Sequence, residues 1–148
     1  MTDDDVRAAV TETLYDYCAL LDEKRLDEWI ELFTDDVVFE EGGGTEGRPA
    51  LRTKVLGLLK KFRALSHHLS NIRVTRTGAE TASSVSYIYA WHQLRDDATM
   101  ELWGRYVDEH RFDGGRWKIS KRTVMVQGGR GTKEIRILRV PQQDLPSA

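Results

Sequence analysis

The spacing of apolar residues changes period at residue 66, and that change limits what the chain can become. Before it, apolar residues recur at helical spacing; after it, they alternate. Four alternating stretches follow, roughly 67–77, 80–93, 99–113 and 116–128. Thr77-Gly78-Ala79-Glu80 and Asp113-Gly114-Gly115 carry hairpin-turn chemistry, and Arg95-Asp96-Asp97-Ala98 makes the third connection. Strands of this length joined by short turns form an antiparallel meander. One of its faces is apolar and must be covered, and only the early helices are available to cover it. The pattern predicts an α+β fold in which a curved, mostly antiparallel sheet wraps around N-terminal helices.

Residues 3–22 read as the first helix, with Thr2 or Asp3 as its cap and Asp4 and Asp5 complementing its dipole. Val6, Ala9, Val10, Thr13, Leu14, Tyr17, Leu20 and Leu21 form its apolar face. Asp22 ends it, ~140° round the axis from Tyr17. The two converge only at one cavity rim, or if the last turn unwinds. Leu26, Trp29, Ile30 and Phe33 are the stripe of a second, short helix, and Thr34-Asp35-Asp36 is a turn. Val37-Val38-Phe39 is a short strand. Glu40-Glu41-Gly42-Gly43-Gly44 lacks the pattern of a phosphate-binding loop and reads as the mouth of a pocket. A third helix, 48–63, turns Leu51, Val55, Leu58, Leu59 and Phe62 inward, and Arg52, Lys54, Lys60, Lys61 and Arg63 outward as a solvated face.

A chain of 148 residues is one domain with a single sizeable core. Residues 129–148 read as a C-terminal tail, in which Lys133 to Val140 add an edge strand through Ile135, Ile137, Leu138 and Val140. A net charge of −2 points to neither nucleic acid nor an anionic membrane. The tail is basic through Arg130, Lys133, Arg136 and Arg139, but no aromatic residues are interleaved with these charges. The single cysteine, Cys18, excludes an internal disulfide and reads as a small core residue. With no apolar signal core at the acidic N-terminus and no run of membrane-spanning length, a cytoplasmic protein is expected.

The chemistry concentrates in Ser66-His67-His68-Leu69-Ser70-Asn71. Imidazole is the side chain best matched to proton transfer near neutral pH, and Asp22 is its natural partner. The competing reading makes both histidines strand-end residues with local hydrogen bonds. Strict alternation puts His68 on the face of Ser70, Ile72 and Val74, and His67 on that of Leu69, Asn71 and Arg73. A bulge or an irregular strand start would move His67 to the core side. In the next strand Val85, Tyr87, Tyr89 and Trp91 share an aromatic face, while Ser84, Ser86, Ile88, Ala90 and His92 share a face of smaller residues that leaves room for a pocket.

Four pieces of the chain together resemble a known group. They are Leu21-Asp22 followed by Trp29-Ile30-Glu31-Leu32-Phe33-Thr34-Asp35-Asp36; His67 four residues before Asn71; Gly104-Arg105-Tyr106-Val107-Asp108; and Gly115-Arg116-Trp117-Lys118-Ile119-Ser120-Lys121-Arg122. Their order resembles the cone-shaped fold named after nuclear transport factor 2. Within it, the chain is most similar to the SnoaL-like branch that includes scytalone dehydratase and hexachlorocyclohexane dehydrochlorinase. The resemblance implies that His67 is the catalytic base and that Asp22 orients it. It implies that Arg122 lines the pocket, that Tyr17 stands at a functional tyrosine position, and that Tyr17 or Arg122 acts in catalysis by stabilising charge on the substrate oxygen or leaving group. His92, Asn71 and His68 enter as substrate-binding candidates. The late serine and asparagine of scytalone dehydratase have no clear counterpart here, which argues against scytalone as substrate.

The implied activity is a lyase that needs no cofactor and no metal, eliminating water from a small hydrophobic hydroxy-carbonyl compound of polyketide or steroid type. No H-E-x-x-H pattern or Cys/His cluster suggests a metal site. An isomerase or cyclase would use the same dyad. The fold also serves as a small-molecule binder or an assembly subunit. Tyr87, Tyr89 and Trp91, or Trp103, on the outer face point to a homo-oligomer, either dimer or trimer.

Overall fold

The computed structural model describes residues 1–131 and 138–141. Helix α1 spans Asp3–Asp22. A capping box starts it: Thr2 Oγ1 accepts from the Asp5 backbone N–H, and the Asp5 carboxylate accepts from that of Thr2. At its other end Lys24 takes a left-handed conformation, φ 57°, and Arg25 N–H reaches back to Leu20 O at 2.9 Å. This closure keeps the last turn wound through Asp22.

The short helix α2 is Leu26–Trp29, followed by a 3-10 turn at Ile30–Leu32. Strand β1 runs Phe33–Glu40, longer than the expected three residues, and Phe33 opens it rather than closing a helix. Strand β2, Gly44–Glu46, was not foreseen; it pairs antiparallel with β1 out of the glycine loop. Helix α3 covers Arg48–Leu59 and stops short of the expected 63, because β3 starts at Phe62 and runs to Arg76. Strands β4 (Thr81–Leu94), β5 (Thr99–Asp113) and β6 (Arg116–Arg130) complete the meander. The order across the sheet is β2-β1-β6-β5-β4-β3, with β1 parallel to β6 and the other neighbours in this row antiparallel. Strand β7, Leu138–Arg139, pairs parallel with β6 at Met125 and Val126. The rest of the expected edge strand, including Lys133, Ile135, Arg136 and Ile137, lies outside the described residues.

The result is the α+β cone: a curved sheet around the N-terminal helices. Two apolar clusters divide its interior. Val6, Val10 and Leu14 of α1 close one end against Ala82 and Trp117. At the other end Tyr17, Cys18 and Leu21 of the same helix meet Trp29, Phe33, Phe39 and the inner faces of β4, β5 and β6. The first cluster is filled, and the second surrounds a cavity.

Two bulges set which side chains face inward. Ser70 pairs with Tyr87 while Arg73 pairs with Val85, so β3 carries one residue more than β4, and Asn71 sits there at φ 51°. Alternation is reset, and Leu69 on one side and Ile72 and Val74 on the other all pack inward. In β6, Ile119 pairs with His110 and Lys121 with Glu109, which leaves Ser120 as the extra residue. Trp117 and Ile119 before it, and Arg122, Val124 and Val126 after it, therefore all turn inward. On the outer face, the Arg105 guanidinium lies 4.7 Å from the Tyr87 ring centre and that of Arg130 lies 5.5 Å from Trp103. Cations thus cover part of the aromatic face.

Candidate active site

The cavity has a volume of about 460 Å³ and a mainly apolar wall. Leu21, Phe39, Val55, Leu59, Leu65 and Ile88 supply much of that wall. The chemically active groups on it are Tyr17, Glu41, Lys54, Lys61, His67, His92 and Tyr106. Its room comes partly from Ala90, which pairs with His67 across the sheet and puts only a methyl group beside the imidazole.

His67 faces the cavity, and its side chain is 6% exposed. The bulge at Asn71 gives it the inward orientation that strict alternation would have given to His68. Asp22 holds it twice: the His67 backbone N–H donates to Oδ2 at 2.8 Å, and the ring Nδ1–H donates to Oδ1 at 2.6 Å. That bond assigns the tautomer, and Nε2 is left as the ring nitrogen that can accept a proton. The end of α1 is pinned to the start of β3 by Lys24, whose Nζ donates to Phe62 O at 2.7 Å and Arg63 O at 3.1 Å. Asp22 and His67, 45 residues apart in sequence, are thereby held in register.

The angular conflict between Tyr17 and Asp22 resolves without unwinding the helix. Tyr17 faces the cavity directly, and Asp22 acts on it through His67. Tyr17 is 4% exposed and packs among Trp29, Phe33 and Tyr106. Burial raises the pKa of its phenol, against the opposing charge of Arg122, so the group is a hydrogen-bond donor and not a phenolate.

Arg122 is placed differently from the expectation. It is fully buried and does not line the cavity. Its Nε and Nη2 donate to the two Asp108 oxygens at 2.8 and 2.7 Å, and its guanidinium stacks 4.1 Å from Tyr17 and 3.8 Å from Tyr106. Burial works against its charge, but Asp108 outweighs that and keeps it ionised. Arg122 backs the wall that Tyr17 and Tyr106 present. His68 and Asn71 are exposed and also stand away from the cavity; His68 shares a 2.8 Å hydrogen bond with Ser66 Oγ.

His92 does face the cavity, with its ring centre 5.4 Å from that of His67 and nearly perpendicular to it. Burial first, and then the His67 charge, lower its pKa to about 4. Because the folded value lies below that of a free imidazole, His92 opposes folding as pH falls from about 6.5 towards 4. The loss should reach on the order of 3 kcal/mol at the acid end. His110, buried and hydrogen-bonded to Ser84, is also lowered to about 4 and adds a similar slope. Urea midpoints measured from pH 7 to pH 4 should fall for the native protein and about half as steeply for His92→Gln. An unchanged slope would show that His92 is protonated in the fold.

Two groups on the wall were not foreseen. Lys54, expected on the solvated face of α3, donates from Nζ to Glu41 O at 2.8 Å and lies 5.6 Å from the Phe39 ring centre. It is three residues after Leu51 and four before Leu58, which is the inward face of a helix. Glu41 continues the inward alternation of Val37 and Phe39, a signal hidden by the glycines after it. Burial raises the pKa of its carboxyl, although Lys54, His67 and Arg122 all pull the other way. Among the described residues no three of His, Cys, Asp and Glu converge as a metal-binding cluster, and no helix is long and apolar enough to cross a membrane.

Residues 5–123 match the sequence model of the SnoaL-like domain. No curated protein matches the sequence. The fold is similar to that of a Novosphingobium aromaticivorans protein assigned as a scytalone dehydratase, at a TM-score of 0.90 and 25% identity, covering 97% of this chain and 100% of the other. It is also similar to a hexachlorocyclohexane dehydrochlorinase from Novosphingobium barchaimii, at 0.78 and 18% identity over 93% and 96% of the two chains. A third similar structure is the β subunit assigned to an aromatic-ring-hydroxylating dioxygenase from Novosphingobium aromaticivorans, at 0.73 and 20% identity over 84% and 91%.

Proposed function

Because this chain belongs to the SnoaL-like domain family, we propose that it is a cofactor-independent lyase of the dehydratase type, acting on a small hydrophobic hydroxy-carbonyl compound. The observation that carries this reading is the Asp22–His67 pair, set in the wall of an apolar cavity of about 460 Å³. That size lies within the range of sites for small organic ligands, about 300–1,000 Å³. A purely structural His-Asp pair would sit in a filled core, so the cavity favours catalysis over an assembly role.

In the proposed reaction His67 Nε2 takes the proton from the carbon next to the carbonyl. Asp22 holds the imidazole in the required tautomer and stabilises the imidazolium that forms. The Tyr17 hydroxyl donates to the carbonyl oxygen as negative charge develops there. The apolar wall strengthens both interactions by keeping water away. With a hydroxyl on the next carbon, the electron pair expels it and the product is an α,β-unsaturated carbonyl compound. Without a leaving group, the same step returns the proton elsewhere and the outcome is isomerisation.

The test is a panel of aryl and alicyclic β-hydroxy ketones in D2O, followed by NMR for loss of the α-proton signal and for the alkene product. The native protein should accelerate elimination, and His67→Ala should lose at least about 10²-fold of that rate, the usual minimum for a positioned acid–base group. Native protein without effect on the whole panel would overturn the reading.

A further inference from the structure

Glu41 is a charge-capable group in the cavity wall that the reaction above leaves unused. It stands just beyond β1, and the inward alternation of Val37 and Phe39 points it at the space His67 faces. Lys54 on α3 is the cation that acts on it most strongly, but its Nζ is hydrogen-bonded to the Glu41 backbone carbonyl. Among the described residues, no side chain donates a hydrogen bond to the Glu41 carboxyl. A carboxyl in an apolar wall without a donor keeps its proton more readily than one in water. The cavity therefore sets a proton acceptor, His67, and a proton donor on different elements, β3 and the end of β1. A carboxyl that its environment keeps protonated can serve as the acid while a separate group serves as the base.

We infer that Glu41 is the general acid of this site, protonating the departing oxygen, and that the substrate is accordingly a β-hydroxy carbonyl compound whose hydroxyl lies against Glu41. The inference rests on the lyase reading and goes beyond it by assigning the leaving-group step. His67 Nε2 removes the α-proton, and the C–H electron pair becomes the new C=C bond. The C–O bond breaks, its electron pair stays on oxygen, and the Glu41 proton converts that oxygen to water. The imidazolium proton then returns to the Glu41 carboxylate through solvent at the cavity mouth, so no other reactant is consumed.

The other charged or titratable groups acting on Glu41 are Lys54 from α3, His67 from β3 and Arg122 from β6; the phenols of Tyr17 and Tyr106 feel its charge in turn. Burial outweighs the three cations and holds the carboxyl above the ordinary glutamate range. A carboxyl with a raised folded-state pKa loses stabilisation as pH rises from its unfolded value through its folded one. Glu41→Gln, which keeps the shape and the hydrogen-bond donor, should remove that part of the pH dependence. A Glu41 carboxyl with no shift in the fold would leave the pH dependence of native and variant the same.

The probes are the β-hydroxy ketone formed from benzaldehyde and acetone, and its acetate ester, whose leaving group needs no acid. Glu41→Gln should lose about 10²-fold or more on the hydroxy ketone and stay within a few-fold of the native protein on the acetate. The native rate on the hydroxy ketone should fall as pH rises through the raised Glu41 pKa, and the variant should lack that fall. Equal rates on the hydroxy ketone for variant and native protein overturn the role of Glu41 and leave the lyase reading standing. Turnover of neither probe by the native protein overturns the lyase reading, and the acid role with it. Equal pH dependence of thermal stability in the two proteins also overturns the role, because Glu41 would then be an ordinary ionised carboxylate.

Discussion

Asp22→Asn should lower the elimination rate by about 10³-fold while leaving the fold in place. The structure gives the reason. Asp22 accepts two hydrogen bonds, one from the His67 backbone N–H and one from Nδ1–H. Asparagine has one oxygen and one NH2. If its oxygen keeps the backbone bond, its NH2 faces Nδ1 and forces that atom to accept. The ring proton then moves to Nε2, the nitrogen that must receive the substrate proton. The same tautomer error in a serine-protease triad costs about 10⁴; here Tyr17 remains to stabilise the enolate, and a smaller loss is expected. His67→Ala should cost as much or more, and the double variant little beyond that, because the pair acts as a unit. His68→Ala, exposed on the other face, should be nearly neutral. The measurements are initial rates on the hydroxy ketone and thermal melts for all four variants. Loss of activity in His68→Ala with retention in His67→Ala would reassign the base.

The largest effect on stability is expected at Arg122. Its guanidinium and the Asp108 carboxylate both have fully buried side chains, joined by two hydrogen bonds. Arg122→Met removes one partner and leaves a carboxylate without compensation in the core. That should cost about 3–5 kcal/mol, and a fall in Tm on the order of 10 °C. Removing both charges, as Arg122→Met with Asp108→Leu, should recover much of the loss, because desolvation then no longer has to be offset. Urea unfolding of the single and double variants tests this. A single variant as stable as the native protein would show that the pair contributes nothing to the fold. Tyr17 and Tyr106, whose rings both lie against the guanidinium, should also lose their fixed positions, so activity should fall with stability.

Much of the fold is legible in the sequence, because long alternating stretches leave little choice. The expected limits of the third long strand, 99–113, coincide with β5, and the small-residue face of β4 is the inner one. Phe33 and Phe62 are harder: an aromatic residue at an element boundary fits both the helical and the alternating period, and both belong to strands. Within the site, the Asp22–His67 pairing comes from the resemblance and from the spacing to Asn71. Alternation alone favours His68, which stands away from the cavity. The bulges at Asn71 and Ser120 leave almost no trace in one sequence beyond asparagine's tolerance of a positive φ. Glu41 and Lys54 follow simple inward periodicities, but the glycine run after Glu41 suggests only a pocket mouth and the basic run around Lys54 suggests solvent.

The extra residue in β3 makes that strand two heritable modules. Its distal half is constrained by packing against the start of α1, through Ile72 and Val74. Its proximal half is held by the hydrogen bonds of His67 to Asp22. In an unbroken pleat, odd and even positions would bind the two together, and drift in one would have to respect the other. With the count reset at Asn71, the packing half can change its apolar residues while the imidazole stays on its side of the sheet. The same independence means that two relatives sharing this core pattern and this histidine can differ by one residue between them, and only one would present the imidazole to the cavity. An ungapped comparison of their strands would match one half and put the other out of register.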